Sequence, residues 1–271
     1  MIANAHAKFQ GVALTTAQEL QQHVLVCHTW VDTWNFSAGG LPTPGRNSVA
    51  QRFRFEAVRV AIAGGHGQIA RRLAKILSQR GDQAVALIRN PDHAEDIRQV
   101  GAEPVAVDLE HATEDEVAQA ITGCDAVVFA AGAGPGSGSE RKETMDYGGA
   151  VKLITAAKQT GISRYVIVSS VGANPEVPGD DAFSVYLRAK GRADEAVQAS
   201  GLDWTIVRPG GLTNDAGTGR VSLGESVPRG QVTRDDVAAV LAAVLDSPTT
   251  IGRTFELMGG DTPVGEAVAA I

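Results

Sequence analysis

Residues 58–77, VRVAIAGGHGQIARRLAKIL, read as a buried strand, a glycine turn and an amphipathic helix, and no other stretch restricts the fold as tightly. Val58, Val60 and Ile62 alternate with Arg59 and the small Ala61 and Ala63, and Gly64, Gly67 and Ala70 fall at G-x-x-G-x-x-A spacing across the turn. A helix opening on such a turn leaves its first N–H groups unpaired and pointing outward. With the helix dipole, those donors suit a pyrophosphate. Side chains at the turn would hold phosphates off the backbone, which is why the residues are small. Alone, the pattern fits any tight turn in an α/β protein. Between a strand and a helix it points to a dinucleotide site. Gln68 and Ile69, the first residues past the turn, join Gly64 and Gly67 as candidate cofactor contacts.

From Val58 onward the chain alternates strand and helix. Strands are predicted near 58–63, 83–88, 104–108, 125–131, 164–170 and 203–208, with helices near 67–80, 92–100, 113–122, 142–160 and 181–200. Continuous apolar runs at 126–130 and 165–168 imply a sheet covered on both faces. Right-handed crossovers between such strands give a doubly wound, mostly parallel sheet in a three-layer α/β/α architecture. Ligands in these sheets lie beyond the carboxyl ends of the strands, where the glycine turn falls. After Pro209 come a Gly-rich stretch, a helix at 233–246, a strand near 253–258 and a terminal helix.

Residues 1–57 differ in character. They carry four Lys/Arg against three Asp/Glu in a chain of net charge −7, and they end in AGGLPTPGRNS. No sustained period appears there beyond a short helix around 16–26, and a signal peptide fits poorly. His23, Cys27 and His28 lack the second ligand pair of a zinc site, so no metal is expected. The segment reads as a poorly structured extension outside the core, or as translation from a start too far upstream. The domain itself is expected over 58–271. Two cysteines, Cys27 and Cys124, form no disulfide framework and fit a reducing cytoplasm. No basic stripe invites nucleic acid, and the longest apolar runs are strand-length, so no membrane partner is expected.

Five further sites carry possible chemistry. The second strand ends in Arg89 and is read as having no acidic residue beside it, which suits a 2′-phosphate better than free ribose hydroxyls, although a solvated arginine at a strand end is about as common. Asp108, followed by Leu109, ends the third strand and either accepts from an adenine amino group or caps the next turn. The fourth ends in Ala130, Ala131 and Gly132, small enough for a cofactor to lie against the backbone. Tyr186 and Lys190 share a helix face one element after a strand ending in Ser169-Ser170. An ammonium beside a phenol makes the phenol a better proton donor and acceptor near neutrality. A serine hydroxyl at the neighbouring strand end suits a substrate carbonyl. Pro209-Gly210 breaks the sheet edge or is a plain turn.

Residues 58–271 resemble an atypical member of the short-chain dehydrogenase/reductase superfamily, similar to bacterial NAD(P)H-binding proteins of the NAD-dependent epimerase/dehydratase type. The carriers are AGGHGQIA (63–70), ALIRN (86–90), VFAAGAGPG (128–136), RYVIVSSVG (164–172), YLRAK (186–190), DWTIVRPGGL (203–212), TRDDVA (233–238) and GRTFELMGGDTP (252–263). The resemblance implies a Rossmann fold, with pyrophosphate at Gly64 and Gly67 and nicotinamide near Pro209-Gly210. It implies proton transfer by Tyr186 and Lys190 with Ser169 or Ser170. Ala70 departs from the third glycine of many relatives. The expected function is an NADP(H)-dependent oxidoreductase, NADP(H) being preferred over NAD(H), acting on a small carbonyl or hydroxyl compound. In it Lys190 binds the nicotinamide ribose and Ser170, ahead of Ser169, holds the substrate. The alternatives are a redox-sensing NADP(H)-binding regulator without turnover and a sugar-nucleotide epimerase or dehydratase. Substrate identity and oligomeric state are not legible in these residues.

Overall fold

The computed structural model describes residues 57–134 and 136–271. The expectations for the N-terminal segment fall, Ala57 apart, outside the described residues. Among the described residues no helix is long and apolar enough to cross a membrane.

Seven parallel strands form the body of the central sheet: β1 (Arg59–Ala63), β2 (Gln83–Ile88), β3 (Glu103–Ala106), β4 (Ala126–Phe129), β5 (Arg164–Val168), β6 (Asp203–Pro209) and β10 (Arg253–Gly259). Two further strands, β8 (Arg220–Gly224) and β11 (Thr262–Pro263), extend one edge antiparallel, giving the order β11-β8-β10-β6-β5-β4-β1-β2-β3. This is the doubly wound Rossmann sheet, with its switch point between β1 and β4. A separate parallel pair, β7 (Gly211–Thr213) with β9 (Gln231–Thr233), begins two residues after Pro209. The Pro-Gly step is thus where the chain leaves the large sheet for the small one, and the Gly210 N–H still donates to Leu257 O at 3.0 Å.

Helices cover both faces because each carries one apolar stripe. On α1 (Gln68–Gln79) the buried residues are Ala70, Leu73, Ala74 and Leu77, the one-face spacing of a helix. Ala70 is 1% exposed within that stripe, where a methyl fills space against the sheet. One layer packs α1 beside α6 (Arg234–Leu245), and Arg72 of α1 reaches Asp235 of α6 at 2.5 Å. The TRDDVA motif caps α6: Thr233 accepts from the Asp236 N–H at 3.0 Å. Asp236, almost fully buried, in turn accepts from the Gly219 N–H at 2.8 Å and the Thr218 N–H at 3.0 Å, pinning the loop before β8. The opposite layer holds α3 (Glu114–Ile121), opened by a Thr113–Glu116 capping box, together with α4 (Ala150–Thr160) and α5 (Ala182–Gln198). The short α2 (Ala94–Gln99) and α7 (Val264–Ala269) complete the set.

One departure matters for the site. The sequence predicts a single helix over 142–160, but residues Lys142–Gly149 wind as a π-helix, entered through the turn Ser139–Arg141, and only α4 is α-helical. Wider winding of this kind often accompanies functional sites, because it re-aims side chains that an α-helix would stack.

Helix α5 is fixed at both its start and its middle. Asp181 caps it by accepting from the Phe183 and Ser184 N–H groups at 2.9 and 3.1 Å. Gly191 lets the 174–175 backbone lie against it: a Cβ there would stand 2.4 Å from Asn174 C and Pro175 N. Gly→Ala inside a helix normally stabilises by about 1 kcal/mol. Here the clash reverses the sign, and Gly191→Ala is expected to destabilise by about 1–3 kcal/mol. The urea midpoint at unchanged slope measures this.

Candidate active site

The glycine turn is a cradle held open by its neighbours. Gly64 has φ +75°, and a Cβ on it would lie 2.6 Å from Ala131 Cα at the end of β4; a Cβ on Gly65 would lie 2.6 Å from Ala86 on β2. The turn therefore sits flat across three strand ends. Gly67 is the N-cap of α1 with no side-chain bond to the helix, and no acidic residue occupies the first turn. The outward N–H groups thus remain available to an anion. A cavity of about 250 Å³ joins Gly64 and Gly67 to Arg89, Asn90, His93 and Ala130–Gly132. His66 leaves the cradle clear by turning to Asp96 at 2.8 Å and stacking on His93 at 3.7 Å. These groups fit a dinucleotide pyrophosphate.

Arg89 lies at the outer end of this cavity, half exposed. The expectation of no acidic neighbour is corrected in space: Glu110, from the loop after β3, stands 3.5 Å from its guanidinium. That carboxylate is already committed to Arg141 at 2.9 Å and Thr144 at 2.8 Å, so it holds Arg89 loosely. Burial raises the Glu110 pKa, but the Arg141 and Thr144 bonds outweigh it and leave the net value lowered. Asp108 caps a turn, accepting from the Glu110 N–H and from His111, each at 3.0 Å. Leu109 is buried in the core and offers its carbonyl to Lys152 at 2.7 Å. Neither Asp108 nor Leu109 lines the glycine-turn cavity.

A second cavity of about 720 Å³ opens beyond the ends of β4, β5 and β6. It brings together Ile69, Ala130, Ala131, Gly132, Ser169, Ser170, Tyr186, Lys190, Pro209 and Gly210, residues scattered over most of the domain's length. The Tyr186 hydroxyl bonds to no described residue. Lys190 is 3% exposed, and its Nζ meets Asp146 at 3.2 Å, Val168 O at 3.1 Å and Ala131 O at 3.4 Å, with the Tyr186 ring centroid 6.0 Å away. Burial works against this ammonium, but the Asp146 carboxylate leads a set of opposing charges that leaves its pKa raised.

Asp146 lines this cavity and was not among the residues the sequence singled out. It lies four residues after Lys142, a spacing that on an α-helix reads as a surface ion pair. The π-helix instead delivers Asp146 to Lys190, and its other oxygen accepts from the Ala133 N–H at 3.1 Å. A Cβ on Gly132 would lie 3.0 Å from Asp146 Oδ1, so the small residues after β4 leave room for this carboxylate.

The two serines separate into different roles. Ser169 is buried and donates to Asp194 at 2.9 Å, while Arg208 clamps the same carboxylate oxygen at 2.8–2.9 Å. Burial pushes the Asp194 carboxyl up, against the pull of Arg208 and Ser169. Ser170 is partly exposed on the cavity wall and donates to the Val171 carbonyl at 3.2 Å. Asp194 too was not legible from the sequence, being one of two adjacent acidic residues on α5.

The buried pair gives a stability prediction. Removing one partner of such a pair leaves the other charge uncompensated, at a cost of about 3–5 kcal/mol. Asp146→Ala is expected to lose stability of that order in urea unfolding, and Asp146→Asn less, because an amide oxygen still faces Lys190.

Comparison with known proteins agrees with this geometry. A family model described as NAD(P)H-binding matches residues 64–248. The chain is 40% identical over 212 residues to YhfK, an uncharacterised sugar epimerase of Bacillus subtilis, covering 78% of this chain and 99% of that one. A solved structure from Bacillus halodurans, described as an NAD-dependent epimerase/dehydratase, shares 40% identity at a TM-score of 0.74 and covers 79% of this chain and all of its own. The oxidoreductase YlbE of Lactococcus lactis superposes at a TM-score of 0.70 with 28% identity, over 79% and 96% of the two chains. The glycine cradle and the Rossmann order around it are those of the NAD(P)H-binding family of epimerase/dehydratase and short-chain dehydrogenase/reductase type, and the chain belongs to it.

Proposed function

We propose that the protein is an NADP(H)-dependent oxidoreductase that interconverts a small carbonyl compound and its alcohol, with Tyr186 exchanging the proton on the substrate oxygen. The observation that carries this reading is the cavity in which Tyr186, Lys190 and Ser170 face Pro209-Gly210 and the end of β4. The nicotinamide, when bound, supplies or accepts the hydride. Tyr186 is the proton donor in reduction, since its hydroxyl is not engaged elsewhere. Ser170 orients the carbonyl when its hydroxyl rotates from Val171. Lys190 acts by position: its three protons already meet three oxygens, and a ribose hydroxyl has to replace the longest of these contacts, to Ala131. Ser169 supports the site by fixing Asp194 rather than by touching substrate.

Sugar epimerisation is the second reading, favoured by what YhfK is called. It consumes no net NADPH, so steady oxidation of NADPH with a panel of aldehydes, ketones and quinones separates the two. A regulator that only binds cofactor shows neither reaction. Tyr186→Phe keeps the ring and removes the hydroxyl, and turnover is expected to fall by roughly 10²–10⁴-fold with NADPH affinity preserved. Unchanged turnover in that variant overturns the role of Tyr186.

Cofactor choice rests on Arg89. Charge-assisted bonds to a phosphate contribute ~1.5–3 kcal/mol, and solvent exposure and Glu110 reduce this here. NADPH is therefore expected to bind at least several-fold tighter than NADH, and Arg89→Ala to remove most of the difference. Fluorescence titration with both cofactors measures it; equal affinities in the unmutated protein refute the assignment.

A further inference from the structure

Three charged residues line the 720 Å³ cavity: Lys142, Asp146 and Lys190. Asp146 is spent on Lys190, so the cavity keeps one uncompensated positive charge. Lys142 carries it. This residue is 7% exposed, on the π-helical turn, and forms no ion pair among the described residues. Its Nζ has one long contact, to Ser137 Oγ at 3.4 Å, and lies 5.5 Å from the Tyr186 ring centroid. A little-exposed ammonium with one long hydrogen bond gains from an anion that enters the cavity to face it. The phosphates of a dinucleotide belong at Gly64 and Gly67, in a cavity that Lys142 does not line. The anion that completes this site therefore comes with the other occupant.

The same cavity has an apolar mouth. Phe183 is 63% and Leu212 37% exposed, two of the three large hydrophobic residues left exposed among the described ones, and both line it. The Phe183 ring continues that of Tyr186, with centroids 6.0 Å apart at 28°. Apolar side chains left in solvent around a polar centre are those a ligand covers.

Resting on the oxidoreductase reading only for calling that occupant a substrate, we infer that Lys142 is its anion anchor and that the substrate is a compact aromatic or otherwise apolar carbonyl compound bearing a carboxylate. The carboxylate meets Lys142, the apolar body lies on Phe183 and Leu212, and the carbonyl is left for Tyr186 and Ser170.

The test uses equilibrium binding, so it reads out whether or not NADPH is consumed. The protein saturated with NADP⁺ is titrated calorimetrically with 2-naphthoate and with 2-naphthamide, which share the ring system and differ in charge. Naphthoate is expected to bind on the order of tenfold tighter, the size of one charge-assisted bond. Lys142→Gln should erase that preference while leaving the affinities for naphthamide and NADPH in place, and Lys142→Arg should retain it. Equal binding of the two probes, no binding of naphthoate at millimolar concentration, or a preference that survives Lys142→Gln overturns the inference. A parallel loss of NADPH affinity in Lys142→Gln overturns it too, by assigning the ammonium to the cofactor. Failure of turnover with every carbonyl tested counts instead against the oxidoreductase reading and leaves these binding outcomes intact.

Discussion

The ammonium of Lys190 lies where four pieces of chain come together, and the site is organised around the need to neutralise it. Burial of a lysine is tolerated only with a counter-charge and full hydrogen bonding. Here the carboxylate comes from the π-helix and the carbonyls from Ala131 and Val168, at the ends of β4 and β5. Each partner thereby acquires a fixed place: α5 against the sheet, the π-helix against α5, and the backbone after β4 drawn towards Asp146. Because Lys190 and Tyr186 are one helical turn apart, satisfying the lysine also fixes where the phenol stands.

A second buried carboxylate repeats the arrangement one turn further along α5. Asp194 takes Ser169 from β5 and Arg208 from β6, joining the two strand ends between which the cavity opens. The neighbouring serines thus divide between support and access. Both border the cavity, but the Ser169 hydroxyl is held by the Asp194 carboxylate, while that of Ser170 meets only the Val171 carbonyl.

What the sequence made legible was local in origin. The glycine turn, the stripe Ala70-Leu73-Ala74-Leu77, the apolar strands and the Tyr186–Lys190 spacing each depend on residues within a few positions of one another, and period and turn chemistry reveal them. The parallel order followed from the regular alternation of strand and helix. What stayed hidden depends on separation. Asp146 meets Lys190, Glu110 meets Arg89 and Asp194 meets Arg208 only once distant segments are packed, and none stands out in its own stretch of chain. The π-winding of Lys142–Gly149 was invisible for a related reason: helical propensity does not distinguish it from α, and tertiary pairing of Asp146 decides between them. The edge strand β11 is only two residues long, and β8 lies in a Gly-rich stretch with no flanking helix to mark it, so neither was legible.

The course of the chain after Pro209 limits how selectivity can arise. Its length goes largely into β8, β10 and β11 of the central sheet and into α6 and α7, which cover that sheet. The rest goes into connecting loops and the small β7–β9 pair. Only Gly210 and Leu212 from this part of the chain line it, beside walls contributed by the π-helix and the start of α5. A molecule bound there is read by few side chains, and those few are mostly small or apolar. In such a setting a single desolvated charge discriminates more strongly than added apolar area, since one methylene alters selectivity by only ~1–3 kcal/mol while unpaired polar groups reject far more sharply. On the proposed reading, a substrate at this site is read mainly by Lys142, Tyr186 and Ser170, and the surrounding alanines and glycines set the cavity's size.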